Sequence, residues 1–199
     1  MRLPKAPEMT DVAFGLKGES VPESYAFLLW QEVACHLSWL ESDEHAGILP
    51  LRGTLNSGRI LLPQRAKLVL RVAAEFASQA RVLAGKTLDI GGSLLQVGEF
   101  DERPLKPYPT LHAHLVEGPS EEEAFLAEAG RQLEDMEVAC KLICGRQVAM
   151  GDSEKLIFGF SLVLHDLKPE ESLRVQRAGL GGSRRFGCGM FVPFKTISV

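Results

Sequence analysis

Several things are scarce in this 199-residue chain, and each scarcity excludes a class of protein. No segment approaches the run of about eighteen apolar residues that crosses a membrane, and the first ten residues, MRLPKAPEMT, lack the apolar stretch of a signal peptide. A cytoplasmic protein with no membrane partner is therefore expected. The four cysteines, Cys35, Cys140, Cys144 and Cys188, are scattered, and a chain of this size does not need disulfides to fold, so reduced thiols are expected. Cys140 and Cys144 have no second pair at zinc-like spacing, which makes them small hydrophobes and not half of a metal site. Acidic residues are missing altogether from Ser172 to the end, where Arg174, Arg177, Arg184, Arg185 and Lys195 are found.

What is present is the composition of a folded protein, 45% hydrophobic and 24% charged, which excludes disorder. The formal net charge of −4 argues against an anionic partner only until its distribution is considered. Acid gathers in Glu121, Glu122, Glu123, Glu128, Glu134, Asp135 and Glu137, leaving the C-terminal stretch basic. A one-sided field of that kind attracts phosphate even to an acidic protein.

Hydrophobic periodicity gives the order of elements. Asp11 to Lys17 alternates as a strand. Pro22, Glu23 and Ser24 open a helix whose apolar face holds Phe27, Leu29, Trp30, Val33, Ala34, Leu37 and Leu40. Glu41 to Ala46 is a polar, mobile loop, followed by a strand from Gly47 to Thr54 and a turn at Asn56 to Gly58. Lys67 to Val72 is a strand, Glu75 to Leu83 a helix, and Leu88 to Gly98 a strand broken by Gly91 and Gly92. This gives β-α-β-β-α-β, the ferredoxin-like order. Pro104, Pro107 and Pro109 then mark a linker.

The order repeats. Leu111 to Glu117 is a strand, and Ser120 with Glu123 makes a capping box for a helix to about Met136. Lys141 to Met150 and Leu156 to Leu164 are strands joined by a Gly151-Asp152 turn, and Pro169 opens a last helix ending near Arg177. The expected class is α+β, with tandem ferredoxin-like (βαββαβ) domains over residues 1–103 and 104–199.

Between that helix and the apolar strand Met190 to Lys195 lies Gly179 to Gly189, GLGGSRRFGCG, in which five of eleven positions are glycine. Such a backbone can approach a ligand closely, and Arg184 with Arg185 supplies guanidinium forks suited to phosphate. The stretch is not a P-loop, having no Lys-Ser or Lys-Thr to close it. It is not a dinucleotide fingerprint either, since no strand feeds it and no helix follows. A helix stop at Gly179 with a surface turn is the plainer account.

Gly-h-Gly, five residues, Gly-h-Gly, with h apolar, resembles the glycine-rich loop of the repeat-associated RNA-binding proteins of CRISPR systems. The likeness extends through SLRVQRAGLGGSRRFGCGMFVPFK and, more loosely, VPESYAFLLWQEVACHLSWLESDEHAGILPLRG. It is closest to the short Cas6 processing endoribonucleases found with Myxococcus-type systems. The resemblance implies cleavage of CRISPR repeat RNA without metal or cofactor, the 2′-OH attacking the adjacent phosphate to leave a 2′,3′-cyclic phosphate and a 5′-OH. It also implies retention of the 3′ hairpin of the guide RNA and membership of a Cascade-like effector complex.

That chemistry needs a group titrating near neutrality and cations on the developing charge, so histidine with arginine is the natural set. His45, in the polar loop seven residues before Arg52, is the first candidate for acid or base. His36, at the edge of the apolar helical face, is the second. Tyr25 stands where close relatives carry histidine and can position or donate a proton, but its ordinary pKa makes it a poor base. Arg52 is the choice for phosphate charge. For the RNA backbone the candidates are Arg146, Arg174, Arg177, Arg184 and Arg185, with Gly179, Gly181, Gly182, Ser183, Gly187 and Gly189 of the loop. His112 and His114 share a strand face and read as exposed positions, and His165 reads as a local turn contact of Asp166. Two alternatives keep part of this reading: a subunit that binds guide RNA without cutting it, and a ferredoxin-like domain that binds a phosphorylated metabolite.

Overall fold

A computed structural model of the chain describes residues 6–151 and 156–194. Lys195 and Asp152, named above, lie outside the described residues. The structure divides into two compact units, one built on Glu8–Pro104 and the other on Leu105–Met150 with the chain from Leu156 on.

In the first unit, β1 (Met9–Lys17) is followed by a short β2 (Ser20–Pro22) and helix α1 (Tyr25–His36). A 3₁₀ helix (Ser38–Ser42), β3 (Gly47–Ile48), a hairpin of β4 (Thr54–Asn56) and β5 (Arg59–Leu61), and β6 (Lys67–Ala73) come next. A second 3₁₀ helix (Ala74–Leu83) leads to β7 (Thr87–Ile90) and β8 (Ser93–Pro104). The main sheet runs β3-β6-β1-β8-β7 with antiparallel pairs throughout. Its first four strands are the second, third, first and fourth of a ferredoxin-like unit, and β7 is added at the edge.

The expected strand from Gly47 to Thr54 is two strands in different sheets. β3 stops after Ile48, close to Pro50, which has no N–H to give a ladder. The chain then leaves to form the β2-β5-β4 sheet. Arg52 consequently sits in a connection, exposed. The segment expected as a helix at Glu75 is 3₁₀, and the strand expected over Leu88 to Gly98 is a hairpin. Gly91 and Gly92, at φ 59° and 84°, supply the paired positive dihedrals that two-residue turns between strands require.

The sheet's interior is mostly apolar, and a charged residue is set into it. Arg71 on β6 is completely buried, and its guanidinium meets the Asp11 carboxylate of β1 at 2.7 and 2.9 Å. Removing Asp11 costs up to about 3–5 kcal/mol, because it strips the carboxylate from a completely buried guanidinium, whereas Asp11 itself keeps some contact with solvent.

The second unit has β9 (Leu111–Glu117), α2 (Glu122–Asp135), β10 (Lys141–Gly151), β11 (Leu156–His165), α3 (Pro169–Ala178) and β12 (Val192–Pro193), with a 3₁₀ turn at Arg184–Phe186. Its sheet order, β10-β11-β9-β12, is again second, third, first, fourth. The fold is a tandem of ferredoxin-like units. Phe125, Ala129 and Leu133, one α-helical turn apart, turn one face of α2 inward. There Phe125 meets Phe160 of β11 with ring centroids 4.9 Å apart. Burial of a side chain of that kind contributes about 1.5–3 kcal/mol.

The expected capping box of Ser120 is absent. α2 starts one residue later than that motif requires, with Glu121 at its N-cap and no side-chain cap. A box is found instead at α3, where Glu171 accepts the Lys168 N–H at 2.8 Å. The same carboxylate accepts the Ala139 N–H at 3.3 Å. Those hydrogen bonds, the Lys168 one foremost, hold the Glu171 carboxyl below its ordinary pKa.

Candidate functional site

Two groups of candidate residues lie on different units, and each is built by local chemistry. In the first unit α1 carries Tyr25 at its first residue and His36 at its last. Eleven residues of helical rise separate them by roughly 16 Å, so they do not act on one atom together. The Leu51 N–H donates to the Tyr25 hydroxyl oxygen at 2.8 Å. Burial pushes the phenol up to about 12 against the smaller opposing effect of that bond. Tyr25 is therefore protonated at neutral pH, and its observed role is to hold the backbone beside Arg52.

His45 follows the first 3₁₀ helix, half-buried, in a loop held by its own hydrogen bonds. Its N–H donates to Asp43 Oδ1 at 2.9 Å, and the Ala46 N–H donates to the Asp43 carbonyl at 3.2 Å. From there β3 pairs with β6 through Gly47 and Ile48, and Leu49 N–H donates to Val69 at 2.9 Å. His45 and Arg52 are thus the two ends of one short segment tied down along its length. His36, half-buried, closes α1 just before that segment's 3₁₀ lead-in.

The second group surrounds the glycine-rich loop. Gly179, Gly181, Gly187 and Gly189 all have positive φ, and Ser183 is in the left-handed region at 53°. A Cβ on Gly189 would fall on the Leu180 carbonyl, so the residue is dictated by close backbone approach. Four of the amides that the sequence suggested for an anion, those of Gly179, Gly181, Gly187 and Gly189, are engaged inside the protein. Gly179 donates to Val175, Gly187 to Arg184, and Gly189 to Leu115 of β9 at 2.7 Å. Gly181 donates to the side-chain oxygen of Gln132 on α2 at 2.9 Å. Beside Gly182 lies the Glu117 carboxylate, which a Cβ there would meet at 2.6 Å.

The cations divide in the same way. Arg185 is exposed and lies over the Phe186 ring, while Arg184 donates to the Gln176 carbonyl at 3.3 Å. Arg174 donates to the carbonyls of Met136 and Glu137 at the end of α2, where it satisfies acceptors the helix leaves open. Arg177 is half-buried and Arg146 is exposed on β10. Gln132 was invisible to sequence reasoning, because its partner is 49 positions away and no local pattern marks it.

On β9, His112 faces the Phe194 ring at 5.4 Å and is half-buried, while His114 is exposed. Partial desolvation of each imidazole by its surroundings lowers the pKa of both, helped at His112 by His114 and at His114 by the cation of Arg146. His165 pairs through Nδ1 with Thr110 Oγ1 at 2.9 Å, a contact across the sheet added to its electrostatic interaction with the adjacent Asp166. The thiols are all free: Cys188 is buried, Cys140 and Cys144 are half-buried against the second core, and Cys35 is exposed.

Two ferredoxin-like units make up the chain, the second ending in a glycine-rich loop packed on its first strand. A family model described as Cas6 Crispr matches residues 10–196. The CRISPR-associated endonuclease Cas6 of Myxococcus xanthus (strain DK1622) is 37% identical over 185 residues, which is 92% of this chain and 80% of the relative. The chain belongs to the Cas6 family of CRISPR-associated endonucleases. Solved structures share the fold at low identity. One titled a CRISPR associated protein Cas6 matches at 11% identity with a TM-score of 0.69, covering 94% of this chain and 100% of that one. One titled an RAMP protein binding different RNA substrates matches at 14% identity with a TM-score of 0.61, over 92% of this chain and 98% of that one. Among the described residues no helix is long and apolar enough to cross a membrane.

Proposed function

We propose that this chain cuts CRISPR repeat RNA in the precursor transcript without a metal ion, the 2′-OH attacking the adjacent phosphate. The products carry 2′,3′-cyclic phosphate and 5′-OH ends, and the protein retains the 3′ hairpin of the guide RNA. The observation that carries this reading is the 37% identity, over 92% of the chain, to a relative named as a CRISPR-associated endonuclease.

His45 moves the proton and Arg52 neutralises the charge gathering on the phosphate. A histidine titrates in the range where it can both take and give a proton, and a guanidinium offers fixed donors to phosphate oxygens. The tied segment between them supports this pairing, since a reacting group gains most from being placed before substrate arrives. Tyr25 positions Arg52 through Leu51. His36, at the end of α1, is the alternative proton carrier. The exposed Arg185 and Arg146, with Arg177 and Arg184, hold the RNA backbone beside the glycine-rich loop. Residues 1–103 and 104–199 form two domains, and the protein works in the cytoplasm as a subunit of a Cascade-like effector complex.

A second reading drops the cut: the chain caps guide RNA as a structural subunit. The engagement of Tyr25 with the Leu51 amide favours it, because the side chain at the helix start is then occupied with holding backbone.

Incubation of the purified protein with its own repeat RNA, with and without EDTA, followed by end-group analysis, separates the two. Cleavage in EDTA that leaves cyclic phosphate supports the endonuclease, whereas tight binding of intact RNA supports the structural subunit. Loss of cutting in EDTA, with cutting in its absence, overturns the metal-independent route.

A further inference from the structure

Asp43, half-buried, has no obvious duty in the reaction, yet the segment that carries His45 is organised around it. Its Oδ1 accepts the His45 N–H at 2.9 Å, its carbonyl accepts the Ala46 N–H at 3.2 Å, and its own N–H donates to Leu40 at 3.4 Å. A side-chain acceptor two residues before its donor makes an Asx turn, which fixes the dihedrals between them. The lead-in is fixed as well: Ser42 Oγ donates to the Trp39 carbonyl at 2.8 Å, and Trp39 stacks on Phe76 with centroids 5.0 Å apart. Downstream, pairing of Gly47 and Ile48 with β6 and the Tyr25 bond to Leu51 hold the rest. His45 is the residue whose direction is set where these two fixed stretches join.

We infer that Asp43 is a positioning residue for cleavage, aiming His45 through the Asx turn. Its second oxygen, Oδ2, is buried with no hydrogen-bond partner among the described residues. Only Oδ1 is used, so an asparagine, which keeps that acceptor, serves as well as the carboxylate. An alanine releases the turn and lets the imidazole wander from the attacking hydroxyl. A misplacement of about an ångström is worth up to about 10²-fold in rate.

This inference rests on His45 being the proton carrier, and the experiment keeps the two apart. Single-turnover cleavage of the repeat RNA and affinity for a repeat made uncuttable by a 2′-deoxy nucleotide at the cut site are measured. The variants are Asp43→Ala, Asp43→Asn, His45→Ala and the double Asp43→Ala/His45→Ala. Asp43→Ala is expected to slow cutting roughly 10–100-fold with affinity unchanged, and Asp43→Asn to restore the wild-type rate. Asp43→Ala is expected to add nothing in the His45→Ala background, because it acts only through that side chain. If His45→Ala is slow but Asp43→Ala cuts normally, or if Asp43→Asn is as slow as Asp43→Ala, the positioning role is overturned and the reading of His45 stands. If His45→Ala cuts at the wild-type rate, the reading of His45 falls and takes the role of Asp43 with it.

Discussion

The hydroxyl of Tyr25 accepts the backbone N–H of Leu51 at 2.8 Å, tying the first residue of α1 to the residue before Arg52. Replacing Tyr25 with phenylalanine leaves that N–H unsatisfied in a buried place. The expected loss of stability is about 1–3 kcal/mol, read as a lower midpoint of urea unfolding. Cutting slows because Arg52 is less well placed, but the shape of the pH–rate profile does not change, since a phenol at about 12 titrates outside the working range. Disappearance of a limb of that profile in Tyr25→Phe would make Tyr25 a proton donor in its own right.

Gly189→Ala tests the packing of the loop on β9. Positive φ alone costs an alanine about 1–2 kcal/mol, and the new methyl also displaces the Leu180 carbonyl. Gly58→Ala is the control, with φ 73° and open space around the Cβ. Gly189→Ala is expected to melt lower than Gly58→Ala and to bind RNA more weakly. Equal melting of the two would mean that the loop does not press on its neighbours as described.

Arg185 and Arg184 should separate in a salt titration. Arg185 is exposed, so Arg185→Ala removes one phosphate contact and flattens the dependence of log affinity on log salt by about 0.7–0.9, with a smaller loss in melting than Arg184→Ala. Arg184 also donates to the Gln176 carbonyl, so its alanine variant lowers the melting temperature as well. An unchanged salt slope in Arg185→Ala would remove this loop from the RNA contact.

His112 and His114 give the stability a pH dependence. Both have folded pKa values below the ordinary one, so the unfolded chain takes up protons first as pH falls. Their contribution is complete above about pH 6.5, the ordinary histidine value, and is lost as pH drops through the lowered folded values. Melting temperatures measured from about pH 7.5 to about pH 5 should fall more steeply for the wild type than for His112→Gln/His114→Gln. Parallel curves would show that the two imidazoles are not held neutral by the fold.

The fold was largely readable because its cores follow simple periods. The strand at Leu111 to Glu117 and the helix opened by Pro169 needed only alternation and a proline at the first helical turn. Failures came where a local signal competes with a distant one. Pro50 breaks a run of strand-like residues, so one apparent strand belongs to two sheets. Ser120 and Glu123 match a capping pattern, but the helix takes Glu121 as its N-cap, one residue after Ser120. The glycine-rich loop was legible as a place of close backbone approach, and which amides it spends was not. Gly189 reaches Leu115, and Gly181 reaches Gln132, through contacts that no neighbouring residue announces. The Asx turn at Asp43 lay within reach of sequence reasoning, since Asp two residues before a backbone donor is its ordinary signature.

The pairing of Val192 with His112 has a consequence for the order of assembly. During synthesis the sheet of the first unit is complete once β8 has emerged, whereas the edge of β9 waits for nearly the whole of the following chain. Until then the nascent second unit exposes unpaired strand edge, a template for aggregation. The glycine-rich loop closes in that final step, because its last glycine anchors on β9 beside the same edge. A polypeptide that ends before Gly189 therefore lacks the contact that anchors the loop on β9.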